Sequence, residues 1–204
     1  MILRAGLLAA TVWLAGAGVG MAQTEAAGAA APDAAGAEAF VRGLFAGYAQ
    51  PVEEATAPPE SFGPAPSPAD MAAGEARTYA PELADLMRRD RASTPEGEIG
   101  TLDYDPICGC QDNGRITVDR VVLTPAPDGR VWAATTFTDH EVGNPETGQP
   151  SVTSTRRFLL ERTPAGWRVA DVRSDAEDDA GLLAVMRSGV AEQEAATRGG
   201  RPAR

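Results

Sequence analysis

The chain has 204 residues and a formal net charge of -11, and all 18 of its basic residues are arginine. A surface field of that sign repels phosphate backbones and anionic headgroups, so nucleic acid is not an expected partner. Once the two ends and a proline-rich stretch are set aside, about 130 residues remain, enough for a single core and too few for two.

Residues 1–22 read as a secretory signal. Met1 to Arg4 form a short positive start, and an uncharged run follows with its apolar centre at Leu7, Leu8, Val12, Trp13 and Leu14. Gly20-Met21-Ala22 supplies small residues where a signal peptidase reads, which places the cut after Ala22. Leu14-Ala15-Gly16-Ala17 carries alanine where a lipid-attachment site carries cysteine, so no membrane anchor is expected after cleavage. The expected location is periplasmic or secreted. Loss of Arg4 with the signal makes the mature chain one charge more negative.

Residues 23–36 form an Ala/Gly-rich leader with little to bury, expected to be disordered. A single domain is expected over residues 37–195, with a frayed tail over 196–204. Phe40, Val41, Leu44, Phe45 and Tyr48 make one apolar stripe at helical spacing, ended by Pro51. Prolines 58, 59, 64, 66 and 68 then predict a surface loop over residues 52–76. Pro81 and Glu82 open a second helix whose buried face is Leu83, Leu86 and Met87, ending near Ala92.

Four strand-like stretches follow. They are Ile116 to Leu123, Val131 to Thr138, Val152 to Arg162 and Trp167 to Val172, joined by turn-rich links such as Pro127-Asp128-Gly129 and Thr163-Pro164-Ala165-Gly166. Such links favour an antiparallel meander. Leu182, Leu183, Val185, Met186 and Val190 form a terminal amphipathic helix. The expected fold class is α+β: N-terminal helices packed on a curved four-stranded antiparallel meander, with a C-terminal helix. Trp132 and Trp167 are expected in the core between sheet and helices.

Asp103 to Gly114 concentrates both cysteines and three aspartates around Asp105-Pro106-Ile107-Cys108-Gly109-Cys110-Gln111-Asp112. This segment resembles the signature of the bacterial exported domain-of-unknown-function family 3828. Tyr79-Ala80-Pro81-Glu82-Leu83 is similar to that family's helix start, and Gly166 to Val172 to its last strand. The resemblance spans roughly residues 38–186. It implies a cone-like α+β domain similar to nuclear transport factor 2 and cystatin-like folds, and it implies no activity. Proteins of such a fold often dimerise through the sheet, so a homodimer is compatible with it.

Cys108 and Cys110 have three readings in an oxidising compartment: a structural disulfide clip, a labile redox pair, and thiolates for Cu(I) or Zn. Two sulfurs and a distant histidine fall short of a zinc set, so no metal and no cofactor is expected. Asp103, Asp105 and Asp112 suit Asx-turns and caps better than a calcium loop. Alternation places Trp167, Val169 and Asp171 on one strand face, where Asp171 could act as an acid or base with Asp112 or with His140, the single histidine. The leading expectation is a non-catalytic module that binds a small molecule or a periplasmic protein. Its pocket rim would be Asp105, Cys108, Cys110, Gln111, Asp112, Trp167 and Asp171. A small enzyme using Asp171, and thiol redox or metal handling at Cys108 and Cys110, are the alternatives.

Overall fold

A computed structural model describes residues 33–49, 67–111, 115–140, 151–176 and 179–198. The residues read as an export signal, the expected leader up to residue 32, residues 50–66 of the proline-rich stretch, Asp112 and residues 199–204 lie outside the described residues. Every described element belongs to one compact unit, Ala31–Arg204.

Helix α1 spans Ala34–Leu44, so it starts three residues before the expected domain start at residue 37 and takes in the end of the leader expected to be disordered. The reason is a cap. Asp33 accepts a 2.9 Å hydrogen bond from the Gly36 N–H, satisfying a donor that a helix start leaves open. The stripe buries Val41 and Phe45, and the Phe45 ring lies 5.0 Å from Phe137 and 6.1 Å from Phe158. Those two contacts press the helix onto the sheet.

Residues 68–76 are not loop. Helix α2 runs Pro68–Thr78, which corrects the expectation of irregular chain as far as residue 76. Proline at the first helical position loses no hydrogen bond, and Ser67 with Asp70 completes a reciprocal capping box. Helix α2 buries no side chain of its own, so it lies at the surface, as the proline content of its approach predicts. Helix α3, Pro81–Ser93, buries Leu83, Leu86, Met87 and Asp90.

Strands β1 (Ile116–Pro125), β2 (Val131–Asp139), β3 (Val152–Thr163) and β4 (Gly166–Arg173) form one antiparallel sheet in the order β1-β2-β3-β4. This is the meander that the short links require. Helix α4, Leu182–Arg198, buries Leu182, Met186 and Val190 and reaches three residues into the stretch read as a frayed tail. The fold is α+β, with the helices contributing to a core that includes Val131, Ala133, Phe137, Phe158, Leu160 and Val169 of the sheet.

Two expectations about strand faces change. Trp167 is buried in the core, whereas Trp132 is half-buried outside it, on the alternate face of β2. There the guanidiniums of Arg157 and Arg173 lie 5.1 and 5.4 Å from its ring. In β4, Val169 registers with Leu160 but Asp171 registers with Leu159, leaving Ala170 as an extra residue. That bulge breaks the alternation. Val172, opposite Phe158, continues the core face, and Asp171 does not share it with Val169.

Thr135 is 0 % exposed at the centre of β2, and its hydroxyl has no hydrogen-bond partner among the described residues. A buried donor left unpaired is destabilising, and valine has nearly the same shape. Thr135→Val is expected to raise unfolding free energy by about 1 kcal/mol in urea titration; an unchanged or lower midpoint would contradict this account of the hydroxyl.

Candidate functional site

The Cys-Gly-Cys segment is folded back on itself by Asp105. The Asp105 main chain donates to Cys110 O at 2.8 Å and accepts from Gly109 N at 2.7 Å. Its side chain accepts from Ile107 N at 2.8 Å, the Asx-turn expected of an aspartate here. The other carboxylate oxygen accepts from the hydroxyl of Tyr48, which follows α1. Cys108 and Cys110 lie at disulfide distance, with their Cα atoms 5.3 Å apart. Gly109 has φ +70° and lies directly against the Arg156 guanidinium, whose Nε donates to Cys108 O at 3.3 Å. A β-carbon on Gly109 would fall 1.2 Å from an Arg156 terminal nitrogen. The left-handed backbone requires glycine, and any larger residue would also have to push the flexible Arg156 guanidinium aside.

Beside this loop is a hollow of about 390 Å³. Its polar lining is Glu75, Tyr79, Asp90, Arg91 and Asp105. Its apolar lining is Met87, Leu102, Pro106 and Met186. Three described helices and the cysteine loop thus converge on it. Larger grooves of about 520 and 780 Å³ flank it along α2, and both share lining residues with it.

Each carboxylate of the hollow is held in place. Glu75 and Arg91 form a two-pronged ion pair, one prong at 2.8 Å. Asp90, only 7 % exposed, accepts from Thr101 N at 3.0 Å, from the Thr101 hydroxyl and from Gln193 Nε2 at 3.0 Å. It therefore pins the segment after α3 to both α3 and α4. Asp105 is held as described.

Tyr79 differs. It is 8 % exposed, its neighbour's N–H donates to Val169 O at 2.8 Å, and its hydroxyl makes no hydrogen bond to any described residue. Burial, then the charges of Asp105 and Glu75, push its phenol above the ordinary range. Burial, then the Asp105 bond and charge, do the same to Tyr48. Both phenols stay neutral and protonated.

Of the rim residues expected from sequence, Asp105 lines the hollow. Cys108 is buried behind it and Cys110 is partly buried. Gln111 is exposed and donates to Asp103 at 3.1 Å. Asp112 lies outside the described residues. Trp167 packs in the core with Arg162 over its ring at 5.4 Å.

Asp171, 5 % exposed, is occupied elsewhere. It accepts from Leu183 N at 2.9 Å in the first turn of α4 and pairs with Arg173 at 3.1 Å. Gly181 has φ +85°, and a β-carbon there would meet the Asp171 carboxylate at 2.5 Å. Asp171 therefore caps α4 from the neighbouring strand. His140 is half-buried rather than solvated, with Nε2 2.8 Å from the Thr117 hydroxyl. Asp171 registers through Leu159 with Trp132, and His140 lies eight residues further along β2, roughly 25 Å away at strand rise. The two are not a pair. Among the described residues, no three His, Cys, Asp or Glu side chains are grouped to hold a metal ion.

Sequence reading missed Asp90, Tyr79, Glu75 and Arg91. Asp90 had left a signal: it continues the Leu83, Leu86, Met87 stripe, where an acid is out of place unless it has partners. Glu75 was hidden inside the presumed loop.

No protein-family model, no curated protein and no solved structure matches the chain.

Two outcomes test this local account. Gly109→Ala is expected to lower unfolding free energy by about 1–2 kcal/mol from the left-handed backbone alone. Adding Arg156→Ala relieves the clash but not that strain, so stability stays below the Arg156→Ala single variant. The second concerns Asp179, before α4. Burial works to raise its pKa, but bonds from Ser174 and from Gly181 N at 2.8 Å outweigh it and hold it below 3.8. Its contribution is complete above that value and lost as pH falls through the lower folded one. In urea titrations from about pH 5 to pH 2, Asp179→Asn should flatten the acid limb of stability; an unchanged limb would exclude this role.

Proposed function

We propose that this chain is an exported, non-catalytic binding module whose ligand is a small molecule held in the hollow beside the Asp105 to Cys110 loop. The observation that carries this reading is Tyr79: a largely buried phenol whose hydroxyl bonds to no described residue and stays open to solvent, in a hollow whose other polar groups are all fixed. A few polar groups left open on an otherwise apolar hollow are what orient a ligand in a binding site.

The geometry adds support. The three segments behind the resemblance to family 3828 are far apart in sequence and adjacent in space. Tyr79 bridges to Val169 of the last strand, and its phenol feels the charge of Asp105 in the cysteine loop. Membership of that family is part of the proposal, as is the periplasmic or secreted location that the first 22 residues imply. Among the described residues, no helix is long and apolar enough to cross a membrane.

Native mass spectrometry tests the reading. The chain is incubated with a small-molecule extract of the periplasm, alongside Leu102→Trp, which fills the hollow and whose folding is checked by circular dichroism. A mass retained by the parent and lost from Leu102→Trp is the expected result. No retained mass, or equal retention by both, would remove the hollow as a binding site.

A further inference from the structure

The hollow has a sign. Glu75, Asp90 and Asp105 face it against one cation, Arg91, so two negative charges stay uncompensated by its lining. Hydrogen bonding does not remove them. The donors on Asp90 and Asp105 are amides, hydroxyls and a phenol, all neutral. Only Glu75 is balanced by a guanidinium. In a site partly shielded from water, uncancelled charge acts over several ångströms more strongly than at the surface.

The rest of the lining limits what can answer that charge. Met87, Leu102, Pro106 and Met186 offer apolar and polarisable contacts, which a hydrated inorganic cation cannot use. The carboxylates do not gather into a metal-ligating group either. Tyr79 contributes an oxygen that can accept one hydrogen bond and a ring face that attracts positive charge. These features are complementary to a single kind of molecule, with a cationic head and an apolar body.

We infer that the hollow binds a small organic ammonium ion, its charged nitrogen against Asp105 and the Tyr79 hydroxyl and its apolar body against Met87, Leu102 and Met186. This rests on the hollow being a binding site at all. The nitrogen neutralises the charge that Asp105 and Asp90 leave uncancelled, and the Tyr79 oxygen accepts one of its protons.

The experiment compares three probes of one shape: cyclohexylammonium, cyclohexanol and cyclohexanecarboxylate. Each is titrated into the full chain near pH 7 and followed by two-dimensional amide NMR. Shifts at Tyr79, Leu102 and Asp105 report the site, and Leu102→Trp is the blocked control. Cyclohexylammonium is expected to bind at least tenfold more tightly than cyclohexanol, with no binding of the carboxylate. Tyr79→Phe, which removes only an oxygen that supports no fold contact, should weaken the ammonium severalfold and by more than it weakens cyclohexanol. Asp105→Asn should do the same more strongly, but Tyr79→Phe decides the matter if that variant unfolds. Equal binding of alcohol and ammonium, or tighter binding of the carboxylate, would overturn the charge assignment while leaving the hollow as a site. Failure of all three probes to shift those amides would take the binding reading down with it.

Discussion

Asp105 makes four hydrogen bonds, two through its main chain to the cysteine loop and two through its carboxylate, to Ile107 N and to the Tyr48 hydroxyl. Tyr48 follows the helix that Phe45 anchors on the sheet, so this carboxylate transmits the position of the core to an otherwise irregular segment. Ile107 and Cys108 anchor the loop in the hydrophobic core, and local polar bonds supply the rest of its order. Gly109 lets the chain reverse, Arg156 closes over it, and the paired sulfurs restrict what is left. The wall of the hollow on that side is therefore rigid because of one acid.

A second carboxylate does the equivalent work on the other side. Asp90 ties the Thr101 amide and the Gln193 side chain to α3, and Arg89 reinforces the α3–α4 contact through Glu194 at 2.6 Å. Several neutral donors meet the hydrogen-bonding demand of a buried acid. The chain has thus built its helical layer around fixed negative charge instead of a larger apolar core. That choice matches a sequence with five phenylalanines and no lysine. Asp171 is a further buried acid, paired with Arg173 and capping α4 where Gly181 has no side chain to do so.

How far the sequence was legible depended on whether the deciding physics was local. Strand alternation, the turn residues and the Phe40 to Tyr48 stripe are local, and the meander and α1 follow from them. Ser67-Pro68-Ala69-Asp70 was also readable, because proline at a first helical position beside a capping box marks a start and not a break. Counting prolines over the whole stretch concealed that distinction. The extra residue at Ala170 left no trace in the residue pattern, so the face of Asp171 could not be assigned by counting twos. Trp132 alternated correctly, yet a tryptophan on the outer face is stabilised by Arg157 and Arg173 from other strands, and such cross-strand cover is not written in its own segment.

The site divides along the same line. Asp105 and the cysteines stood out because their chemistry is concentrated in ten residues, whereas Tyr79, Glu75 and Asp90 meet only after three helices and β4 have packed. Their meeting has a physical consequence. Saturating a carboxylate with neutral donors meets its demand for hydrogen bonds but leaves its charge in place, and two such groups on one hollow repel each other wherever water is thin. The phenols of Tyr48 and Tyr79 are raised first by burial and then by the negative charge of Asp105. A fold stabilised in this way carries unresolved negative potential beside a phenol whose hydroxyl bonds to no described residue, and a cation arriving there lowers the repulsion while disturbing none of the bonds that hold the walls.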